Sequence, residues 1–398
     1  AIGRSHYDIA RAKLELSRLF SSQWQNGMIP HIIFSGGLHY WWDRQLWRSW
    51  INPLSVNGVA SSGLTQPPMV AEAVTRIGNK LSLTEKLIWY RSAYPHLLAY
   101  HLWLYRERDP KVEGLVVQLH PWETGLDNSP PIMGELNAEI QPWWLRFLER
   151  THFDRIGDYF RVDYKYVTQG ERSSNIEALV LYNLLRKVRR DKYDSATILK
   201  NPSFAVQDIT YNSILIRANT LLREIADTIG EKLPQELLQH TAKATSALES
   251  LWDGDSGEYY TRQYLSGKLI LEPSIGTFLP LYSGSISQER ATQLVRLMED
   301  DFWFGLKYPI PSAPANSPWF DSRHYWQGPT WVNTNWLIID GLKRYGFHDQ
   351  ANTLKIKTLE MVRKSGFYEY FDPYSGEGRG TNNFSWTAAL TIDLLADS

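Results

Sequence analysis

Apolar residues recur at helical spacing along most of this chain. Ile9, Ala12, Leu16, Leu19 and Phe20 form one stripe that stops before Asn26-Gly27, which predicts an amphipathic first helix. The same period predicts helices near 67–77, 84–107, 132–150, 173–190, 208–229, 234–252, 287–299, 328–345, 349–363 and 382–396. Pro67-Pro68 opens the 67–77 segment, and Pro95 is expected to break the 84–107 segment. Short turns, such as those at 230–233 and 346–348, alternate with long aromatic-rich stretches at 30–65, 108–131, 253–275 and 300–327. A ring of helical hairpins gives that alternation, with the long loops at one face carrying function. The chain therefore reads as all-α, one (α/α) barrel over 1–398, with no Gly/Ser linker or exact repeat dividing it. Aromatic residues alternating with polar ones beside glycines add short β-hairpins at 257–264 and 366–371.

Composition narrows the partners. With 43% hydrophobic residues in 398 the chain can bury a large core, and its net charge of -1 is spread without a basic or acidic face. Nucleic acid and anionic membrane partners are disfavoured. The absence of Cys excludes disulfides, thiolate metal sites and thiol nucleophiles. Arg4, Asp8, Arg11 and Lys13 interrupt the N-terminal segment and no later apolar run spans a bilayer, so a cytoplasmic location is expected. Aromatic residues are the outlier: 17 Trp and 22 Tyr, clustered as Trp41, Trp42, Trp47 and Trp50, and again as Trp319, Tyr325, Trp326, Trp331 and Trp336. Most such rings fill cores, but a flat ring with a polar edge also suits the C–H face of a pyranose, which makes sugar the leading ligand class.

Cleaving a glycosidic bond requires one carboxylic acid to protonate the leaving oxygen and a second carboxylate on the opposite face, as base or as nucleophile. Carboxylates inside aromatic loops are thus the candidates. The segment His120-Pro121-Trp122-Glu123-Thr124-Gly125-Leu126-Asp127-Asn128-Ser129-Pro130 holds two of them, a Trp and a Gly turn just before a helix. Its plain alternative is that Asp127 or Asn128 caps that helix. A second candidate is Glu369 in Gly366-Phe367-Tyr368-Glu369-Tyr370-Phe371, where flanking rings would tune a buried carboxylate. The alternative there is an exposed Glu on a surface strand. Asp372, before Pro373, and Glu377, between Gly376 and Gly378, look like turn chemistry.

Five motifs then occur in a telling order. They are Pro30-His31-Ile32-Ile33-Phe34, Gly63-Leu64-Thr65-Gln66-Pro67-Pro68, the 123–130 segment, Tyr325-Trp326-Gln327-Gly328-Pro329-Thr330-Trp331-Val332-Asn333, and the Glu369 strand followed by Asn383-Phe384-Ser385-Trp386-Thr387-Ala388. Together they resemble glycoside hydrolase family 63, in particular its mannosylglycerate and glucosylglycerate hydrolases. The resemblance implies an (α/α)6 barrel and inverting hydrolysis of a small α-glycoside, with Asp127 as acid and Glu369 as base. An inverting pair stands about 6.5–9.5 Å apart so that a water fits beneath the anomeric carbon. It further implies that Gln66, Tyr325, Trp326 and Trp331 line the sugar pocket, with Tyr40 and Trp122 as additional contacts. Arg161 aligns with a carboxylate-binding Arg for an acidic aglycone, with Tyr166 beside it; the planar guanidinium fork suits a carboxylate. The residues before the first helix in this sequence do not include the family's Trp-Asp-rich segment, and the loop at 35–54 is longer and more aromatic.

Other readings remain open at the level of sequence. An α-glucosidase or trehalase-like hydrolase of a disaccharide or of glucosylglycerol would use the same carboxylates. A sugar 2-epimerase would use histidines, for which His101, His120, His152 and His324 are available. A terpene cyclase lacks its third spaced Asp after Asp300-Asp301, and a carbohydrate-binding protein would need no opposed carboxylates. No metal-ligand spacing is present, so no metal and no cofactor is expected; the partner is a small-molecule glycoside, with homo-oligomerisation possible.

Overall fold

The computed structural model describes residues 1–36, 40–138, 167–168, 170–172 and 174–396. Helices dominate among them: Ile9–Phe20, Val70–Gly78, Leu83–Arg108, Pro130–Ala138, Asn175–Arg190, Ile209–Ile229, Gln235–Leu248, Gln288–Glu299, Val332–Arg344, His348–Ser365 and Ser385–Ala396. Each lies on a segment whose apolar period predicts it, and 139–150 of the expected 132–150 helix lies outside the described residues. Trp41–Trp47, Pro121–Thr124, Ser195–Ile198 and Leu279–Ser283 are helices too short to show a period. Several helix starts are capped by a polar side chain. Asp8 accepts from Arg11 N, Asp208 from Tyr211 N and Ser287 from Arg290 N, while Ser82 and Glu85 form a reciprocal capping box. No helix among the described residues is long and apolar enough to cross a membrane.

The expected break at Pro95 does not occur, because Leu83–Arg108 runs unbroken through it. A proline inside a helix costs ~3 kcal/mol or more. Against this, Tyr90, Ala93, Leu97, Tyr100, Trp103 and Leu104 are buried on both sides of it, where each large apolar side chain contributes ~1.5–3 kcal/mol. Tertiary packing therefore overrides the local breaker.

The chain forms two compact units, 1–125 with 185–250 and 264–266, and 126–184 with 251–263 and 267–398. In the first, Ile209–Ile229 is buried over most of its circumference and packs on Leu83–Arg108, Val70–Gly78 and Gln235–Leu248. A buried ion pair ties this unit's loops together. Arg108 Nη1 and Nη2 donate to Glu123 Oε2 and Oε1 at 2.7 and 2.8 Å, and Glu123 also accepts from Leu119 N at 2.8 Å and Thr65 N at 3.4 Å. Both partners are almost fully covered. Replacing Glu123 by Ala strands the guanidinium, and chemical denaturation should register a loss of about 3–5 kcal/mol.

In the second unit, Val332–Arg344 packs on Leu279–Ser283, His348–Ser365 and Ser385–Ala396. Gly341 permits the closest approach, since a Cβ there would lie 2.7 Å from the Leu281 carbonyl carbon. Trp336 Nε1 donates to buried Asp393 at 2.8 Å. Two antiparallel hairpins decorate this unit. Trp252–Asp253 pairs with Glu258–Tyr259, and Tyr370–Phe371 pairs with Gly378–Arg379 in the register Tyr370 opposite Arg379. Thr330 exchanges both main-chain hydrogen bonds with Phe371, at 2.8 and 2.9 Å. That exchange brings the aromatic 325–331 loop to the hairpin that follows Glu369.

Candidate active site

Within the second unit, Asp127, Arg172, Tyr325 and Glu369 form one electrostatic group. Asp127 stands in the turn before Pro130–Ala138. Its neighbour Asn128 is no helix cap: Asn128 Oδ1 accepts from Trp326 N at 3.1 Å, and its carbonyl accepts from Gln327 Nε2 at 2.9 Å. The aromatic loop is thereby fastened to the residue beside Asp127. Burial pushes the Asp127 carboxyl from its ordinary value of 3.8 up to about 7; the Arg172 charge pulls it down, and the Glu369 charge adds to the rise. At neutral pH this carboxyl holds a proton for much of the time.

Glu369 is only 4% exposed, which removes the surface-strand alternative. It precedes the strand Tyr370–Phe371 by one residue rather than lying within it. Its Oε2 accepts from Arg172 Nη2 at 2.5 Å and from Thr381 N at 3.1 Å, while Oε1 accepts no hydrogen bond from any described residue. One oxygen is anchored and the other is available. The Arg172 guanidinium also lies over the Tyr325 ring, 5.6 Å from its centroid, and Arg172 Nη2 reaches Thr381 Oγ1 at 3.4 Å. Glu171 holds the same corner: its carboxylate accepts from Gly380 N at 3.1 Å, its carbonyl accepts from Tyr325 N at 3.2 Å and from the Tyr370 hydroxyl, and Arg379 pairs with it at 3.6 Å.

Gly380 is required here on two counts. Its φ is +69°, and a Cβ would stand 2.9 Å from Glu369 Oε2 and 2.7 Å from the Tyr370 ring. Gly380→Ala should therefore displace the Glu369 carboxylate and lower kcat by at least tenfold, with the fold retained by circular dichroism. Unchanged turnover would mean that the carboxylate tolerates displacement.

The aromatic wall is well ordered. Trp326 and Trp331 stack with centroids 3.7 Å apart at 4°, and Trp331 Nε1 donates to the Tyr325 carbonyl at 3.1 Å. Tyr325 stands edge-on to Trp331 at 5.4 Å and to Tyr370 at 5.9 Å. Three buried donors on this framework, Asn128 Nδ2, Arg172 Nε and Trp326 Nε1, have no partner among the described residues.

The remaining sequence candidates divide. Asp372 is a turn residue as expected: Oδ1 accepts from Tyr374 N and Ser375 N, and Oδ2 from the Ser322 hydroxyl. Glu377 makes an exposed pair with Arg379 at 3.1 Å. In the first unit, Gln66 exposes its side chain while its carbonyl accepts from the Tyr100 hydroxyl at 2.9 Å, Trp122 packs against His120 and Trp47, and Tyr40 is 38% exposed near Phe34. Arg161 and Tyr166 lie outside the described residues, as does His152. His101 is buried against Asn219 and its pKa falls to about 4 through burial, so it stays neutral as a packing residue.

Sequence reasoning missed Arg172, Glu171 and Gly380. Glu171-Arg172 reads as an ordinary polar pair, and only the fold reveals that it meets residues some two hundred positions later.

The family model for the mannosylglycerate hydrolase MGH1-like glycoside hydrolase domain matches residues 1–387. A mannosylglycerate hydrolase of Thermus thermophilus is 36% identical across 98% of this chain and 91% of its own length. A glucosylglycerate hydrolase of Mycolicibacterium hassiacum is 30% identical across 99% of this chain and 89% of its own. A crystal structure of a GH63 mannosylglycerate hydrolase from Thermus thermophilus, in complex with Tris and D-glycerate, matches with a TM-score of 0.87 at 35% identity, covering 99% of this chain and 91% of that one. The fold class is accordingly the all-helical (α/α)6 type. Matches of this identity and extent assign the chain to the MGH1-like glycoside hydrolases of family GH63, enzymes that hydrolyse glycosidic bonds.

Proposed function

We propose that this enzyme hydrolyses a small α-glycoside of glycerate, mannosylglycerate ahead of glucosylglycerate, with inversion at the anomeric carbon. The Thermus thermophilus mannosylglycerate hydrolase shares 36% identity with this chain, against 30% for the Mycolicibacterium hassiacum glucosylglycerate hydrolase. Asp127 gives its proton to the departing glycerate oxygen, and Glu369 Oε1 takes a proton from the attacking water. Arg172 holds the other oxygen of Glu369. Tyr325, Trp326 and Trp331 form the aromatic wall beside the pair.

The observation that carries this reading is the contrast between the two carboxyls. Asp127 has a pKa raised to about 7 and is fit to donate, whereas Glu369 is paired with a guanidinium and is fit to accept. The test is turnover of α-mannosylglycerate and α-glucosylglycerate, following glycerate and free hexose in equal amounts. A kcat/KM at least tenfold higher for the mannoside supports the order given. Activity on neither compound, with activity on a neutral disaccharide, would replace glycerate as the aglycone.

A further inference from the structure

His324 carries no proton in the reaction proposed for Asp127 and Glu369. Within the second unit it stands between the loop that bears Arg172 and the start of the helix Asn175–Arg190. Its Nδ1 lies 3.1 Å from the Gly170 carbonyl oxygen and its Nε2 lies 3.8 Å from Glu177 Oε1. Carbonyl and carboxylate oxygens only accept, so a neutral ring, with a single N–H, serves one of them and turns a lone pair to the other. The imidazolium serves both. Glu177 is itself fixed: its Oε2 accepts from Ser174 N, and its own N donates to Ser174 Oγ at 3.2 Å, a reciprocal cap on that helix.

The next residue completes a clamp. Tyr325 N donates to the Glu171 carbonyl at 3.2 Å, so His324 and Tyr325 hold the successive carbonyls of Gly170 and Glu171. Tyr325 does this with φ at +41°, a left-handed conformation uncommon for a bulky side chain, while Trp331 Nε1 grips its carbonyl at 3.1 Å. Arg172 follows directly and places Nη2 on Glu369 Oε2. We propose that His324 is a positioning residue whose imidazolium, clamped between Glu177 and the Gly170 carbonyl, keeps Arg172 on Glu369 and so holds that carboxylate in register for its water. The inference rests on the reading of Glu369 as base.

The surroundings favour the charged ring. Burial alone would lower its pKa, yet the Glu177 carboxylate, the Gly170 carbonyl and the charge of Asp321 in its own loop outweigh burial and hold it above the ordinary 6.5. The charges of Glu171 and Arg172 are turned to Gly380 N and to Glu369. The clamp is therefore fully charged below the His324 pKa and loses that charge as pH rises through it.

The test compares His324→Gln with the parent on α-mannosylglycerate from about pH 5.5 to about pH 9, with circular dichroism confirming the fold. Gln still donates to the Gly170 carbonyl but never carries the charge. At the acid end kcat should be about tenfold below the parent's with KM within twofold, since the base is loosened and binding is not. At the alkaline end, where the parent ring has also lost its charge, the deficit should narrow to under threefold; the ratio at each pH cancels the Asp127 titration common to both. Heteronuclear NMR of the ring, assigned by its absence from His324→Gln, should show it titrating where the ratio narrows, and Glu177→Gln should move that titration down. In an Arg172→Met background His324→Gln should cost less than a further twofold. A deficit that is absent or constant across pH, one that stays tenfold without Arg172, or a ring titration unmoved by Glu177→Gln overturns the proposal. Those outcomes leave Glu369 as the base; parental kcat in Glu369→Gln would instead overturn the base assignment itself.

Discussion

Asp127→Asn is expected to lower kcat on α-mannosylglycerate by about 10²–10⁴-fold, the range of a lost general acid, with KM within a few-fold of the parent. Asn keeps the shape and removes the proton. In the parent enzyme kcat/KM should fall as pH rises through about 7, because Asp127 must be protonated to donate and loses its proton there. The same shift predicts a stability effect of known sign. Folding raises the Asp127 pKa from 3.8, so the folded chain keeps a proton that the unfolded chain has lost. The resulting stabilisation is complete below pH 3.8 and disappears as pH climbs through 7. Asp127→Asn should therefore gain Tm relative to the parent at pH 8 compared with pH 4, while losing activity at both. Activity loss with no such change in Tm difference would mean that Asp127 is not held protonated.

The second large effect concerns Arg172. Arg172→Met removes the donor that fixes Glu369 Oε2 and the cation that lowers the Asp127 pKa. We expect kcat to drop by about 10²-fold or more, consistent with a misoriented base, and the basic limb of the pH profile to move above its parental position near 7. Arg172→Lys separates the two roles. It keeps a charge, so the limb should stay near its parental position, but it lacks the planar fork, so kcat should recover only in part. The same drop in kcat for Arg172→Met with an unmoved pH limb would reduce Arg172 to a structural contact. The limb moves because the charge acts on Asp127 itself.

Much of the fold is legible in the sequence. Amphipathic period marks the long helices, since burying one face at about 3.6 residues per turn leaves its trace in the order of residues. Pro95 misleads because breaker propensity is local, whereas the packing of buried Tyr100 and Tyr105 against Ile209–Ile229 is not. The segment at 120–130 carries two carboxylates that composition and spacing do not sort into roles, and in the sequence only the family resemblance points to Asp127. The structure gives Glu123 to Arg108 as an internal tie and leaves Asp127 with a raised pKa. Asp372 is legible as a turn because Asx geometry is sequence-local. Arg172 is not, since a cation's partner 197 positions away leaves no pattern in the chain.

The stereochemistry of the first product tests the pairing of Asp127 with Glu369 most directly. With α-mannosylglycerate as substrate and enzyme in amounts that outrun mutarotation, proton NMR of the anomeric region should show β-mannose appearing first and α-mannose growing in only as the sugar equilibrates. α-Mannose as the first anomer would contradict a single displacement by water activated at Glu369.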